Sequence, residues 1–321
     1  MKHLIELHLH LDGSLRAETV WELAKEQGLE LEEKTVEDIR FKMEVPLECK
    51  TLNEYLERFA LPTKVLQTEN AMERVAFELV EDLAGEGVTY AEIRFAPQLH
   101  VQRGLTQAQV VEAVVRGAKR GMEQYPGIRV GIILCCMRGA DNADMNMETV
   151  EMTKKYLGDV VCAVDIAGAE ALYPTEMFET LFAKVREYNL PMTIHAGEAA
   201  GPDSMRKALS YGTKRIGHGI AAVNDPELMQ YLVDNKITLE ICVTSNYHIK
   251  ATPKVEMHPI RQLFDAGVRV TVNSDNMTCS RVNILSEIEV LREKLNFTDD
   301  EIEKMMEYAY EARFLKDYVN E

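Results

Sequence analysis

The feature that most constrains this chain is a series of eight strand-like segments separated by segments of helical character. They cover residues 5–10, 88–95, 129–136, 160–166, 191–195, 215–218, 237–243 and 268–273. The C-terminal ends of the last seven lie at or near Phe95, Cys136, Asp165, His195, His218, Ser245 and Asp275. Successive positions in this series are 23 to 41 residues apart by subtraction of the residue numbers. That spacing is about the length of a strand–helix–strand unit. Eight such units predict a (β/α)8 TIM barrel, in the α/β class.

Extra helical segments supplement the barrel at two places. The chain between strands 1 and 2 is much longer than one helix and predicts a helical insertion, with helices over residues 16–27 and 71–86. After strand 8 the chain ends in helices, the last of which starts at a capping box of Thr298 and Glu301. A doubly wound open sheet is the alternative, but no glycine-rich phosphate loop follows strand 1. Because no linker or repeat is evident, residues 1–321 are predicted to form a single domain.

Composition limits the classes of partner. The formal charge is −17, which disfavours nucleic acid and anionic membranes because basic patches bind both. The chain has no run of about 18 apolar residues, so no membrane span is predicted. The N-terminus lacks the apolar core of a signal peptide. The six cysteines form no Cys-x-x-Cys pair, which predicts reduced thiols in a cytoplasmic protein. The sequence carries no signal for an oligomeric state.

Two histidines on strand 1 open the search for a site. His8 and His10 are two residues apart, so their side chains point to the same face of the strand. Histidine is the commonest metal ligand, and Asp12 and Gly13 follow. The alternative is that both are ordinary strand histidines. The choice between these interpretations depends on whether other strands supply the missing ligands.

Polar residues at the ends of other strands supply such ligands. Barrel active sites lie at the C-terminal ends of the strands, where this chain has Asp165, His195, His218 and Asp275. Four strand ends that deliver histidines and carboxylates to one rim predict a catalytic site there.

The residue types at this rim indicate a metal. His8, His10 and His195 offer three imidazoles and Asp275 an anionic oxygen, a set that suits one zinc or similar divalent ion with a position open for water. Such an ion lowers the pKa of its water from about 15.7 toward about 7. Strand 4 offers Asp165 but no lysine, which disfavours a two-metal hydrolase bridged by a carboxylated lysine. We expect Asp165 to support the site rather than to react.

Glu198 and His218 remain for proton transfer. One can deprotonate the water while the other protonates the substrate. The alternatives are that Glu198 only interacts favourably with a helix N-terminus, and that His218, between two glycines, is structural. We expect His258 to begin a helix or to support the site from behind.

With these residues assembled, the chain resembles the adenosine/AMP deaminase family of the metal-dependent amidohydrolase superfamily. The resemblance covers nearly the whole chain. It is carried by motifs that occur in order along the sequence, among them Glu6-Leu-His-Leu-His-Leu-Asp-Gly13, Tyr90-Ala-Glu-Ile-Arg-Phe-Ala-Pro97, Thr193-Ile-His-Ala-Gly-Glu198, Arg215-Ile-Gly-His-Gly219 and Asn273-Ser-Asp275.

The resemblance implies a role for each matching position. The zinc ligands are His8, His10, His195 and Asp275. His218 orients and deprotonates the attacking water, and Glu198 protonates purine N1. The positions expected to touch the nucleoside are His10, Asp12 at a ribose hydroxyl, Gly168 at N3, and Asn276 at N7. Leu56, Phe59 and Leu61 of the insertion resemble an apolar lid over the substrate.

The implied reaction is hydrolytic deamination of adenosine and 2′-deoxyadenosine to inosine products and ammonia. The alternatives are deamination of another aminopurine, such as adenine or a 5′-modified adenosine, and a catalytically silent relative that binds nucleosides. Asn276 departs from the second Asp common at this position. A carboxyl group donates to N7 only when protonated, whereas the Asn amide donates without needing a proton.

Overall fold

The strands of the protein form a closed barrel. The computed structural model describes residues 3–316. Its strands are β1 (Ile5–His10), β2 (Tyr90–Phe95), β3 (Arg129–Met137), β4 (Val161–Ala167), β5 (Ile194–Ala196), β6 (Arg215–His218), β7 (Thr238–Ile241) and β8 (Arg269–Val272). All neighbouring strands within β1–β4 and within β5–β8 pair in parallel.

Two short sets of backbone hydrogen bonds join these halves into one barrel. Beside β4, Val164 N–H donates to the carbonyl of Pro191 over 3.0 Å. On the other side, His10 N–H donates to the carbonyl of Asp275 over 2.7 Å, and Asp275 N–H donates to the carbonyl of His8 over 2.9 Å. The predicted (β/α)8 barrel is therefore confirmed, and its closure brings the ends of β1 and β8 into contact.

Helices surround the barrel and fill the predicted insertion. In chain order they are α1 (Ala17–Glu26), α2 (Val36–Met43), α3 (Leu52–Leu56), α4 (Ala60–Val65), α5 (Glu69–Gly85), α6 (Gln107–Gln124), α7 (Ala143–Tyr156), α8 (Glu179–Glu187), α9 (Pro202–Ser210), α10 (Pro226–Asp234), α11 (Val243–His248), α12 (Ile260–Asp265), α13 (Met277–Ser280), α14 (Ile284–Leu295) and α15 (Asp299–Ala312). The insertion after β1 and the helices after β8 are both present, and Thr298 and Glu301 form the predicted capping box.

The structure differs from the sequence prediction at α7 and β7. The bounds of helix α7 were not predicted, because its buried face is made of Asn146, Thr149, Val150 and Thr153, which is a poor hydrophobic pattern. Strand β7 ends at Ile241, and Ser245, predicted to be at its end, lies in α11.

One large hydrophobic core joins the strands to the helices around them. Helices α5 and α6 show how closely they pack, because a Cβ atom on Gly117 would lie 2.1 Å from the carbonyl oxygen of Glu73. Glycine is needed there for the two backbones to approach. All six cysteines are buried and free. Within residues 3–316, no helix is both long enough and apolar enough to span a membrane.

Candidate active site

The ends of β1, β5 and β8 bring four predicted ligands together. His10 Nε2 lies 3.3 Å from His195 Nε2 and 3.4 Å from Asp275 Oδ1. His8 Nε2 lies 3.6 Å from the same Asp275 oxygen. Ligand atoms at roughly 2.1 Å from a tetrahedral zinc stand about 3.4 Å apart, so these separations fit one small ion.

A second observation also fits a metal at this point. His8 Nε2 is buried and has no hydrogen-bond partner among residues 3–316, an arrangement that is costly unless a ligand is bound. His8 also lies close to His218 and Cys242, and these three residues form a second group that could hold a metal ion. Burial raises the pKa of the Cys242 thiol well above its usual value, so it is a poor thiolate ligand. The set of three histidines and Asp275 is therefore the better candidate for a metal site.

Carboxylates below the rim orient two of these histidines. Glu240 Oε2 lies 2.8 Å from His8 Nδ1, and Asp165 Oδ2 lies 2.8 Å from His195 Nδ1. Arg94 donates to both carboxylates over 2.8 Å each. Such carboxylates set the ring orientation of metal-binding histidines, and here each ring turns its Nε2 toward the rim. Asp165 thus has the supporting position expected of it, whereas Arg94 and Glu240 were not predicted.

Glu198 follows β5 and lies buried in the site. Burial, with the carboxylates of Asp275 and Glu170 adding to it, raises the pKa of Glu198 well above its usual value. This shift favours the neutral acid, the form that can donate a proton. Glu170, which was not predicted, fixes the turn by accepting hydrogen bonds from the N–H groups of Gly197 and Glu198.

His218 stands opposite Glu198 at the end of β6. Its Nε2 lies 3.5 Å from Glu198 Oε1, and the residue has a positive φ of 61°. A left-handed backbone is unfavourable for a residue with a Cβ and is found at functional sites. Gly217 permits the crowding, since a Cβ there would lie 3.0 Å from His8 Cε1. Asp275, with φ of 62°, shares this strain.

These groups open into a pocket of about 200 Å³. Most of the predicted site residues line it, namely His10, Asp12, Phe59, Gly168, His195, Glu198, His218, Asp275 and Asn276. His8 lies beneath this surface and is fully buried. Among the pocket-lining atoms that are buried and have no hydrogen-bond partner within residues 3–316 are the side-chain oxygens Asp12 Oδ1 and Asn276 Oδ1.

The insertion after β1 forms the apolar side of the pocket. Leu56 and Phe59 line it as expected, and Leu52 and Tyr55 join them. Leu61 does not line the pocket, because α4 turns its side chain into the main core. The assignment of Leu61 to the lid is therefore wrong.

Comparison with known proteins agrees with this geometry. A family model described as "Adenosine deaminase" matches residues 4–321. The chain belongs to the adenosine deaminase family. It is 41% identical over 315 residues to the adenosine deaminase of Haemophilus ducreyi, with 97% of this chain and 92% of that protein covered. It is 39% identical over 318 residues to that of Clostridium perfringens strain 13, with 99% and 95% covered.

A solved structure shows the same fold. The adenine deaminase of Arthrobacter aurescens superposes with a TM-score of 0.90 at 28% identity, with 98% of this chain and 94% of that chain covered. The family resemblance inferred from the sequence is confirmed, and as a member of this family the protein is a hydrolytic deaminase.

Proposed function

We propose that this protein deaminates adenosine and 2′-deoxyadenosine, releasing ammonia and the inosine product. The observation that carries the proposal is the buried acid Glu198, 3.5 Å from His218 and beside the set of three histidines and Asp275. The arrangement meets two requirements of one reaction. Glu198 can protonate a ring nitrogen, and the metal-ligand set can hold an ion that supplies a nucleophilic water. The two curated relatives named adenosine deaminase support the choice of substrate.

We propose zinc as the ion, held by His8, His10, His195 and Asp275. When bound, such an ion makes hydroxide available near neutral pH. The fit of the ligand separations and the unpartnered Nε2 of His8 support this choice. The assignment predicts about one divalent ion per chain, and elemental analysis of the purified protein with no stoichiometric metal would contradict it.

The chain's own side chains hold and activate the purine. Glu198 gives its proton to N1, which makes C6 electrophilic. We assign Gly168 N–H to N3 and the amide of Asn276 to N7. Asp12, whose Oδ1 lacks a partner among the residues that the structure describes, accepts a hydrogen bond from a ribose hydroxyl. The contact to the ribose gives Asp12 Oδ1 the hydrogen bond whose absence otherwise carries a desolvation cost.

The apolar lid completes this chemistry by excluding water. Tyr55, Leu56 and Phe59 cover the pocket that holds Glu198. A carboxyl group keeps its proton near neutral pH only in such a shielded place. Closure of the lid over the substrate therefore preserves the acid that N1 requires.

Free adenine is the second candidate substrate. The structural relative from Arthrobacter aurescens is named as an adenine deaminase. Asp12 favours a nucleoside, because its Oδ1, which has no partner among the described residues, can accept a hydrogen bond from a ribose hydroxyl. Free adenine has no ribose to donate that hydrogen bond. A 5′-modified adenosine and a catalytically silent role fit less well, since the full set of ligands and both proton-transfer residues are present.

A substrate panel distinguishes these candidates. Adenosine, 2′-deoxyadenosine, adenine and adenosine 5′-monophosphate are incubated with the metal-loaded protein, and ammonia release and purine absorbance are followed. We expect the two nucleosides to have the highest kcat/KM. A higher value for adenine would overturn the substrate assignment, and no turnover of any compound would overturn the enzymatic one.

Three further expectations remain proposals. We propose that residues 1–321 form one domain, supported by the single large core shared by the barrel and its helices. We also propose a cytoplasmic location, which the six free buried thiols support. The partner we propose is a small purine nucleoside, rather than nucleic acid or a membrane.

A further inference from the structure

A line of polar side chains runs from the pocket into the protein behind it. His218 Nδ1 lies 3.1 Å from Asn246 Nδ2, and Asn246 Oδ1 lies 3.1 Å from His258 Nε2. His258 Nδ1 accepts a hydrogen bond of 3.1 Å from the backbone N–H of Ile260. All four residues are buried. Only His218 was expected to take part in catalysis.

The backbone fixes the direction of this line at its far end. Ile260 is the first residue of α12, so its N–H has no acceptor within the helix. A backbone N–H can only donate, so His258 Nδ1 must present its lone pair. Burial lowers the pKa of His258 to about 3, so the ring is neutral at pH 7. A neutral ring with a lone pair on Nδ1 carries its hydrogen on Nε2.

Each following group then has one favourable arrangement. His258 Nε2–H donates to Asn246 Oδ1, which leaves the amide NH2 of Asn246 to donate to His218 Nδ1. The neutral ring of His218 therefore carries its hydrogen on Nε2. If the amide of Asn246 were turned around, its NH2 group would face the Nε2–H of His258. That arrangement would lose one buried hydrogen bond, which costs roughly 1–3 kcal/mol.

We propose that Asn246 and His258 are positioning residues that hold His218 in the tautomer with hydrogen on Nε2. In this form His218 donates a hydrogen bond to the oxygen that attacks C6 and does not remove its proton. The role of His218 as a donor to the attacking oxygen rests on the proposed deaminase function, whereas its tautomer does not. It revises the role implied by the family resemblance, in which His218 deprotonates the water.

The proton balance can be met without a base at His218. Glu198 gives its proton to N1 while the oxygen–C6 bond forms, and it is left as the carboxylate. The proton that the water released to solvent on ionising returns to Glu198 only at the end of the cycle, after the following transfer. The carboxylate of Glu198 takes the hydroxyl proton of the C6 adduct and passes it to the amino group. The C6–N bond breaks with its electron pair going to nitrogen, so ammonia leaves and C6 becomes a carbonyl.

The tautomer can be observed directly in the metal-loaded protein. The chain has eight histidines, so nitrogen-15 histidine labelling gives a tractable NMR spectrum, with His218 assigned by its absence in His218→Gln. We expect His218 Nδ1 to show the shift of an unprotonated nitrogen and Nε2 that of a protonated one. The opposite pattern would overturn the proposal, whether or not the protein deaminates adenosine.

Asn246→Asp reverses the line without changing its shape. The carboxylate only accepts, so it takes hydrogen bonds from His258 Nε2–H and from a newly protonated Nδ1 of His218. We expect the NMR tautomer to switch and kcat to fall by about 10²-fold, the usual cost of a lost transition-state donor. KM for adenosine should change by less than about threefold, because His218 acts on the attacking oxygen. A switched tautomer with normal kcat, or a loss of kcat without a switch, would contradict the proposal.

A matched pair at His258 keeps the test valid if Asn246→Asp fails to fold. His258→Gln supplies an amide that can accept from Ile260 and donate to Asn246, whereas His258→Leu can do neither. We expect the Leu variant to show both tautomers of His218 and a kcat several-fold lower. The Gln variant should keep the Nε2–H form and recover most of kcat. Equal losses in both variants, with one unchanged tautomer, would mean that His258 only fills space.

Discussion

The interior of the barrel has two polar regions that differ in how their charges are satisfied. In the lower region, Arg215 donates to Glu92 over 2.6 Å and to Glu240 over 2.7 Å, and Arg94 bridges Glu240 and Asp165. In the upper region, at the C-terminal ends of the strands, His8 Nε2, Asp12 Oδ1 and Asn276 Oδ1 are buried without a partner in the described part of the chain. We refer to these as the lower network and the upper site.

The contrast separates support from chemistry. In the lower network each carboxylate faces a guanidinium. Although burial opposes ionisation, Arg215 and Arg94 hold the pKa of Glu240 well below its usual range. In the upper site burial acts on Glu198 with little compensation and raises its pKa. The carboxylate form of Glu240 and the neutral form of Glu198 are thus favoured, because two guanidinium groups donate hydrogen bonds to Glu240 and, among the described residues, none donates to Glu198.

The largest expected effect tests the protonated acid of the upper site. Glu198→Gln keeps the shape and a hydrogen-bond donor but cannot transfer a proton. We expect kcat to fall by roughly 10²–10⁴-fold, the usual contribution of general acid catalysis. Binding of an unreactive purine nucleoside, measured by calorimetry, should stay within about tenfold. Near-normal turnover would show that Glu198 does not protonate N1.

The next effect tests the lower network. Arg94→Met leaves Asp165 and Glu240 without the cation they share and should lower the free energy of unfolding by about 3–5 kcal/mol. Urea denaturation of the metal-loaded protein measures this change. Arg116→Met is the matched control, because Arg116 pairs with Glu69 and Glu73 on the surface.

In that control the loss should be at most about 1 kcal/mol. Equal losses at the two positions would contradict a special role for the lower network. Chelator competition adds a second measurement, since Arg94→Met should weaken metal binding by about 10–100-fold through the two carboxylates.

A smaller effect concerns the lid of the upper site. Phe59→Ala removes an aromatic side chain from the pocket wall and about 2 kcal/mol of apolar contact with the substrate. We expect KM for adenosine to rise by about tenfold or more with a smaller change in kcat. Phe41→Ala is the control, because Phe41 is 78% exposed on α2. If both variants raise KM equally, Phe59 does not cover the substrate.

The smallest effect concerns Asn276. Asn276→Asp adds a carboxyl group that donates to purine N7 only when protonated. We expect the ratio of the inhibition constants of a purine nucleoside analogue, variant over wild type, to rise as pH increases from 6 to 9. Taking the ratio removes the titration of Glu198, which both proteins share. A ratio that stays constant with pH would show that Asn276 does not contact N7 of the base.

Much of the upper site could be predicted because its residues follow local rules. His8 and His10 share a face through the period-two geometry of a strand. His195, His218 and Asp275 could be added because parallel strands of a barrel end at one rim. Leu61 was misassigned because it is close in sequence to Phe59, and the turn of α4 directs it to the core instead.

The sequence by itself determined the barrel and the family and predicted the metal-ligand set, because each depends on spacing along one chain. Only the tertiary structure decided which groups act on those ligands. Glu240 meets His8 across 232 residues, and the line from Ile260 through His258 and Asn246 to His218 forms only when α11 and α12 pack behind β6. Hydrogen-bond direction is a property of that packing, since the same residues in another arrangement would leave His218 free to exchange its tautomers.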